Sequence, residues 1–231
     1  MRVKTLFLDA GGVLMNPNWA RVAEALARRS VPCDAAALAA AEPRAKHALD
    51  VPDRIRATDD ASRGRVFFDL VLEGAGVRGP EEAIAAAWAD ITDYHQRSNL
   101  WEVVPADVLP TLDRLRAAGL TLAVVSNANG TLRASMERLG LAARVDVILD
   151  SFEEGVEKPD PRIFELALER SGGRKETTVH VGDLYHVDVV GARAAGIEAV
   201  LIDSAGLYAA ADCTRVVSLT ALADEVEAGR I

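Results

Sequence analysis

The sequence predicts an α/β protein, a Rossmann-like parallel sheet core carrying one inserted α-helical cap domain. Three observations carry this. A short apolar run, VKTLFL at 3–8, ends at Asp9 and a glycine pair. The stretch 18–98 has helical periodicity and no convincing strand, and from about 105 onward helix and strand patterns alternate. Strands that alternate with helices need right-handed crossovers, so they lie parallel. Residues 3–8 belong with them by character, which assigns 1–15 and 104–231 to the α/β core and 16–103 to the cap.

Each element has a local reason. The first strand is apolar, has the β-branched Val3, and is closed by Gly11 and Gly12. In the insertion, Trp19, Val22, Ala23 and Leu26 recur at helical spacing, as do Phe67, Leu70 and Val71 before Gly74 and Gly76 break the pattern. The Ala-rich 34–42 also reads as helix. Pro80 suits the first turn of a helix whose one face carries Ile84, Trp88, Ile91 and His95. Trp19, Trp88 and Trp101 are expected to pack the cap or its junction with the core. In the core, Val108, Leu112 and Leu115 mark a helix that Gly119 ends, and LTLAVVSNA (120–128) reads as a buried strand. Leu132, Met136 and Leu139 share a helix face up to Gly140, and RVDVILDS (144–151) is the next strand. Asp160 and Pro161 supply an N-cap and a first-turn proline for IFELALERSG. TTVHVGD (177–183), a helix near 188–195 and IEAVLID (197–203) complete the alternation.

Composition narrows the function. A net charge of −9 argues against a binder of nucleic acid or of membrane surfaces. Two cysteines, Cys33 and Cys213, are too few and too far apart for a disulfide framework or a zinc site. No apolar stretch approaches the roughly 18–20 residues that span a bilayer, and Asp9 ends the N-terminal apolar run too early for a signal peptide. A soluble cytoplasmic protein, monomer or homodimer, is expected.

In a parallel sheet, ligands bind beyond the carboxyl ends of the strands. Those ends carry Asp9, then Ser126 and Asn127, then the segment leading to Lys158, then Asp183 with Asp188 five residues on. If these groups converge, three carboxylates face one ammonium, and such a site needs a cation. Mg²⁺ suits it, because it takes few carboxylates together with water and phosphate. A phosphoryl group placed there meets Asp9 as nucleophile, Ser126 as donor and Lys158 as balancing charge.

The four segments FLDAGGVL, VVSNA, EKPDPRIF and VGDLYHVDVVGARAAG, in this order, resemble the motifs of the haloacid dehalogenase (HAD) superfamily, in its members with a helical cap inserted after the first motif. The resemblance covers nearly the whole chain. It implies the HAD fold and a hydrolase acting on a small phosphorylated metabolite. It also implies Asp9 as nucleophile, Ser126 and Lys158 as catalytic groups, and Gly11, Gly12, Ser126, Asn127 and Lys158 around the phosphate. For Mg²⁺ it implies Asp9, Asp183, Asp188 and the carbonyl of Gly11.

One position departs. Phosphatases of this family have a second aspartate two residues after the nucleophile as general acid and base, and here that position is Gly11. Such a group contributes about 10²–10⁴ in rate, so alkyl phosphates are expected to be poor substrates and acyl or aryl phosphates better ones. His186, His47 and His95 are the imidazoles considered as substitutes. Three other readings stand beside this one: a catalytically impaired phospho-ligand-binding or interaction protein; a 2-haloacid dehalogenase, whose halide needs no proton donor; and a phosphonate hydrolase, which needs a cap lysine that only Lys46 offers. Arg54, Arg56, Arg63 and Arg65, among Asp53, Asp59 and Asp60, read as a solvated, salt-bridged surface.

Overall fold

The computed structural model describes residues 3–231. The chain divides into two compact units, one holding the residues up to Asn16 together with Val103–Ile231, the other Pro17–Glu102. Its strands in chain order are β1 (Thr5–Leu8), β2 (Asn16–Pro17), β3 (Trp101–Val103), β4 (Thr121–Ser126), β5 (Val147–Asp150), β6 (Thr178–Gly182), β7 (Glu198–Ile202) and β8 (Thr214–Val216). β2 and β3 pair as a separate two-stranded sheet. The other six form one sheet in the order β5-β4-β1-β6-β7-β8, with parallel pairing throughout.

Burial explains why β1 reads as a continuous apolar run: all four of its residues are buried, as befits a parallel strand covered on both faces. One face carries Phe7, Ala123, Val125 and Leu149, which pack against Ile163, Phe164 and Ala167 of a helix spanning Pro161–Ser171 and against Val189 and Ala192. The chain leaves β1, returns to β4 and β5 on one side, then crosses to β6 on the other. β1 therefore lies at the switch in strand order where open α/β sheets bind ligands. Leu8 is in register with Val124 on one side and Val181 on the other, so β4, which ends at Ser126, and β6, which ends at Gly182, run slightly past the end of β1.

The second unit is helical: α1 (Trp19–Arg28), α2 (Ala35–Leu49), α3 (Pro52–Ala57), α4 (Asp60–Gly74) and α5 (Glu81–Ser98). Its core joins Trp19, Val22, Leu26, Leu38, Phe67, Phe68, Val71 and Ile91, with Trp88 and Trp101 packed against it. Caps mark the helix starts. Asn18 accepts from the Arg21 N–H, Asp34 from Ala36, and Asp59 and Ser62 form a reciprocal capping box. The arginine cluster is only partly solvated: Arg56 pairs with Asp53 and Arg65 with Asp69 at the surface, but Arg63 is buried and donates to the Thr58 carbonyl at 2.8 Å.

The core helices are α6 (Val108–Ala117), α7 (Leu132–Arg138), α8 (Ser151–Glu154), α9 (Pro161–Ser171), α10 (Val190–Ala194) and α11 (Leu219–Glu227). Some details differ from the sequence reading. The helix expected at 188–195 is a wide π turn over Tyr185–Val189 followed by α10. β8 and α11 were not expected; α11 is nevertheless signalled by Ser218, whose side chain accepts from the Ala221 N–H, and by Leu219, Leu222, Ala223 and Val226 on its buried face.

Candidate active site

β1 delivers Asp9 with its backbone still tied to the sheet, since the Asp9 N–H donates to the Val181 carbonyl at 2.8 Å. The following turn is tight. Ala10 donates its N–H to Asp9 Oδ1 at 2.7 Å, and the Gly12 N–H closes onto the Met15 carbonyl at 2.8 Å. Gly12 sits at φ 75°, which glycine adopts without penalty. Gly11 lies outside that left-handed region.

Lys158 is fully buried, and its ammonium lies 3.0 Å from Asp9 Oδ1 and 2.7 Å from Asp188 Oδ1. Asn127 holds the lysine's backbone from both sides. Its Nδ2 donates to the Lys158 carbonyl at 2.9 Å, and its Oδ1 accepts the Lys158 N–H at 2.7 Å. The sequence reading placed Asn127 at the phosphate through its backbone N–H, and its side chain clamps the lysine loop. Ser126 ends β4, is buried, and makes one long contact from its hydroxyl to the Asn127 carbonyl at 3.4 Å.

Asp188 is drawn in by the wide turn. Its Oδ2 accepts the N–H groups of Asp183 at 3.2 Å and Leu184 at 3.0 Å. Its Oδ1 meets both Lys158 and His180 Nε2, the latter at 2.9 Å. Gly182 makes room for this: a Cβ there would stand 2.0 Å from the Asp188 carboxyl carbon. Ligand oxygens of Asp9, Asp183 and Asp188 can all lie within 4.8 Å of one another.

Electrostatics follow from that crowding. Burial pushes the Asp9 carboxyl up to about 7; Lys158 pulls it down, while Asp188 and Asp183 push it further up. Burial also disfavours charge on Lys158, but Asp188 and Asp9 outweigh it and raise the ammonium above its ordinary range. Asp188 moves the other way. Burial opposes its ionisation, yet Lys158 and His180 hold it below the usual carboxylate range. Asp9 and Asp188 share one lysine, Asp183 adds a third carboxylate beside them, and Asp9 is the one whose ionisation its surroundings oppose.

The structure therefore brings Asp9, Lys158, Asp183 and Asp188 together, with Ser126 and Asn127 at the end of the neighbouring strand. The histidines considered as substitutes fare differently. His95 lies in the helical unit, where its Nδ1 accepts the Leu100 N–H at 3.1 Å and its ring packs on Trp101. His47 is exposed on α2, and His186 stands edge-on to Tyr185. Lys46 pairs with Glu42 at 2.8 Å. His180 also touches the site, its Nε2 lying 2.9 Å from Asp188 Oδ1; its signal in the sequence is a polar residue between Val179 and Val181 in a buried strand.

A parallel α/β sheet that collects acids and one buried lysine at its switch point defines a class of hydrolytic enzymes built on a strand-end aspartate. The family model for haloacid dehalogenase-like hydrolases matches residues 3–196, and the chain belongs to that family. It is 38% identical over 140 residues to a ribulose-1,5-bisphosphate 5-phosphatase of Halopiger xanaduensis, covering 60% of this chain and 57% of that protein. To a glyceraldehyde 3-phosphate phosphatase of Methanopyrus kandleri it is 35% identical over 136 residues, 58% of this chain and 57% of the other. The matches thus span little more than half the length of these curated relatives. Among solved structures, a 2-haloacid dehalogenase of Pseudomonas syringae is similar with a TM-score of 0.60 and 28% identity, over 99% of this chain and 100% of that one. Among the described residues, no helix is long and apolar enough to cross a membrane.

Proposed function

We propose that the chain is a Mg²⁺-dependent phosphohydrolase that acts on a small phosphorylated metabolite through an aspartyl-phosphate intermediate, with Gly11 restricting it to activated phosphates. The observation that carries this reading is the excess of carboxylate around Asp9. Its partners are one lysine and two further acids, and an oxygen-ligated divalent cation fits that donor set. The phosphatase names of the two curated relatives agree with it.

Asp9, Asp183, Asp188 and the Gly11 carbonyl are the groups that would hold Mg²⁺, which when bound supplies positive charge for the phosphoryl oxygens and keeps Asp9 ionised. Asp9 attacks phosphorus and expels the leaving group, and water then hydrolyses the acyl phosphate. Lys158 offsets negative charge gathering on the transferred group. Ser126, Gly12 and Asn127 line the strand ends beside it. Gly11 offers no proton to the leaving group, so a leaving group that departs as a stable anion is favoured.

A dehalogenase is the second reading, favoured by the absent acid at Gly11 and the similarity to the Pseudomonas syringae enzyme. Three clustered acids around an anionic haloacid weigh against it. One comparison separates the two: Mg²⁺-dependent phosphate release from acetyl phosphate and from an alkyl phosphomonoester, by wild type and Gly11→Asp, with chloride release from 2-chloropropionate alongside. The expected result is wild-type turnover of acetyl phosphate only, with the variant gaining about 10²–10⁴-fold on the alkyl ester. Chloride release without phosphate release overturns the phosphatase reading.

A further inference from the structure

His180 is a fully buried imidazole that no part of the chemistry above uses. It sits in the middle of β6, in register with Phe7, on the sheet face that packs against α9, and its ring stands edge-on to Phe164 with centroids 4.9 Å apart. That packing would suit an apolar side chain equally well. What an apolar side chain lacks is the N–H that lies 2.9 Å from Asp188 Oδ1.

An ionised carboxylate only accepts hydrogen bonds, so the shared proton belongs to His180 Nε2. Nδ1 meets only the backbone of Phe7, without a well-formed hydrogen bond. Asp188 then accepts four donors: His180 and Lys158 on Oδ1, and the N–H groups of Asp183 and Leu184 on Oδ2. Because donors hold both oxygens, rotation of the group about Cβ–Cγ breaks hydrogen bonds. The oxygen that holds the lysine is the same oxygen that the histidine holds. Remove the imidazole donor and Oδ1 is fixed by Lys158 alone, a long flexible side chain whose ammonium must also stay 3.0 Å from Asp9.

We propose that His180 is a positioning residue: by donating Nε2–H to Asp188 Oδ1 it fixes the carboxylate that aims the Lys158 ammonium at Asp9. The proposal rests on the phosphohydrolase reading for its kinetic consequence but not for its geometry, and two measurements keep these apart. The first is ¹⁵N NMR of the imidazole in the wild-type protein. It should show a neutral ring with the proton on Nε2 and Nδ1 bare; a proton on Nδ1 instead overturns the proposal whatever the enzyme hydrolyses.

The second compares His180→Phe, which keeps a ring against Phe164 but has no donor, with His180→Gln, which keeps an N–H donor. With acetyl phosphate, His180→Phe should lower kcat about 10–100-fold, the usual loss when an outer hydrogen-bonding partner is removed. KM should stay within about twofold, because what is lost acts mainly in the transition state. His180→Gln should restore most of kcat. Wild-type kcat in the Phe variant, or equal loss in both variants, overturns the proposal. If wild type itself releases no phosphate, the phosphohydrolase reading falls and the tautomer decides the positioning claim alone.

Discussion

Each unit of this molecule contains a buried carboxylate held by several donors, and the two are instructive side by side. In the helical unit, Glu102 accepts from Asn18 Nδ2 at 2.8 Å, Arg21 Nε at 3.1 Å and Tyr94 Oη at 2.7 Å, with the Arg21 guanidinium 3.8 Å above the Tyr94 ring. Burial opposes its charge, but those hydrogen bonds win and hold it below the usual glutamate range. One carboxylate meets one guanidinium and the cluster is neutral. In the α/β unit, Asp188 is equally well bonded, but its lysine is shared with Asp9, and Asp183 adds a third acid. The difference lies in charge left over after every hydrogen bond is made. A cluster that closes its own charge stabilises a fold; one that leaves an acid uncompensated is a place for a cation and for chemistry.

The largest break in this contrast is Asp9→Asn, which should lower turnover of acetyl phosphate by on the order of 10⁴-fold or more, as expected for a lost nucleophile. It carries a pH signature. The folded Asp9 carboxyl is raised from 3.8 to about 7, so its contribution to stability is fully present below about pH 4 and is lost as pH rises through 7. Without metal, the Tm of Asp9→Asn should therefore gain on wild type as pH rises from 5 to 8. A difference, variant Tm minus wild-type Tm, that stays constant or falls as pH rises contradicts the assignment.

Next is Lys158→Met, which leaves the buried acids without their ammonium. Removing one partner of a buried ion pair costs about 3–5 kcal/mol, and urea unfolding in chelator should show a loss of that size. The smallest effect is Glu102→Gln. It removes charge from a self-compensated cluster and should cost about 1.5–3 kcal/mol, the range for hydrogen bonds to a charged group. A Glu102 loss as large as that of Lys158 erases the distinction between the clusters.

What the sequence revealed follows the range of the interactions. Asp9 and Asp183 stand at the ends of apolar runs, so strand and chemistry are adjacent in the chain. Lys158 was legible because Asp160 and Pro161 mark the helix start just beyond it. The clamp between Asn127 and Lys158 joins residues 31 apart and has no local signature. His180 and Asp188 meet across eight residues through a π turn, which helical periodicity does not encode. The strand expected from 144 begins at Val147 because Asp146 turns its carboxylate to the Leu122 N–H at 2.9 Å. Arg63 reads as surface by its charged neighbours and is buried because α4 points it at the Thr58 carbonyl.

The central claim, that Asp9 at the end of β1 makes a cation site together with Asp183 and Asp188, is tested most directly by calorimetric titration of Mg²⁺ into the metal-free protein near pH 7.5. The account predicts one Mg²⁺ per chain, with binding lost in Asp9→Asn and in Asp183→Asn and retained in Glu102→Gln. Absence of Mg²⁺ binding in wild type, with turnover indifferent to chelator, would contradict it.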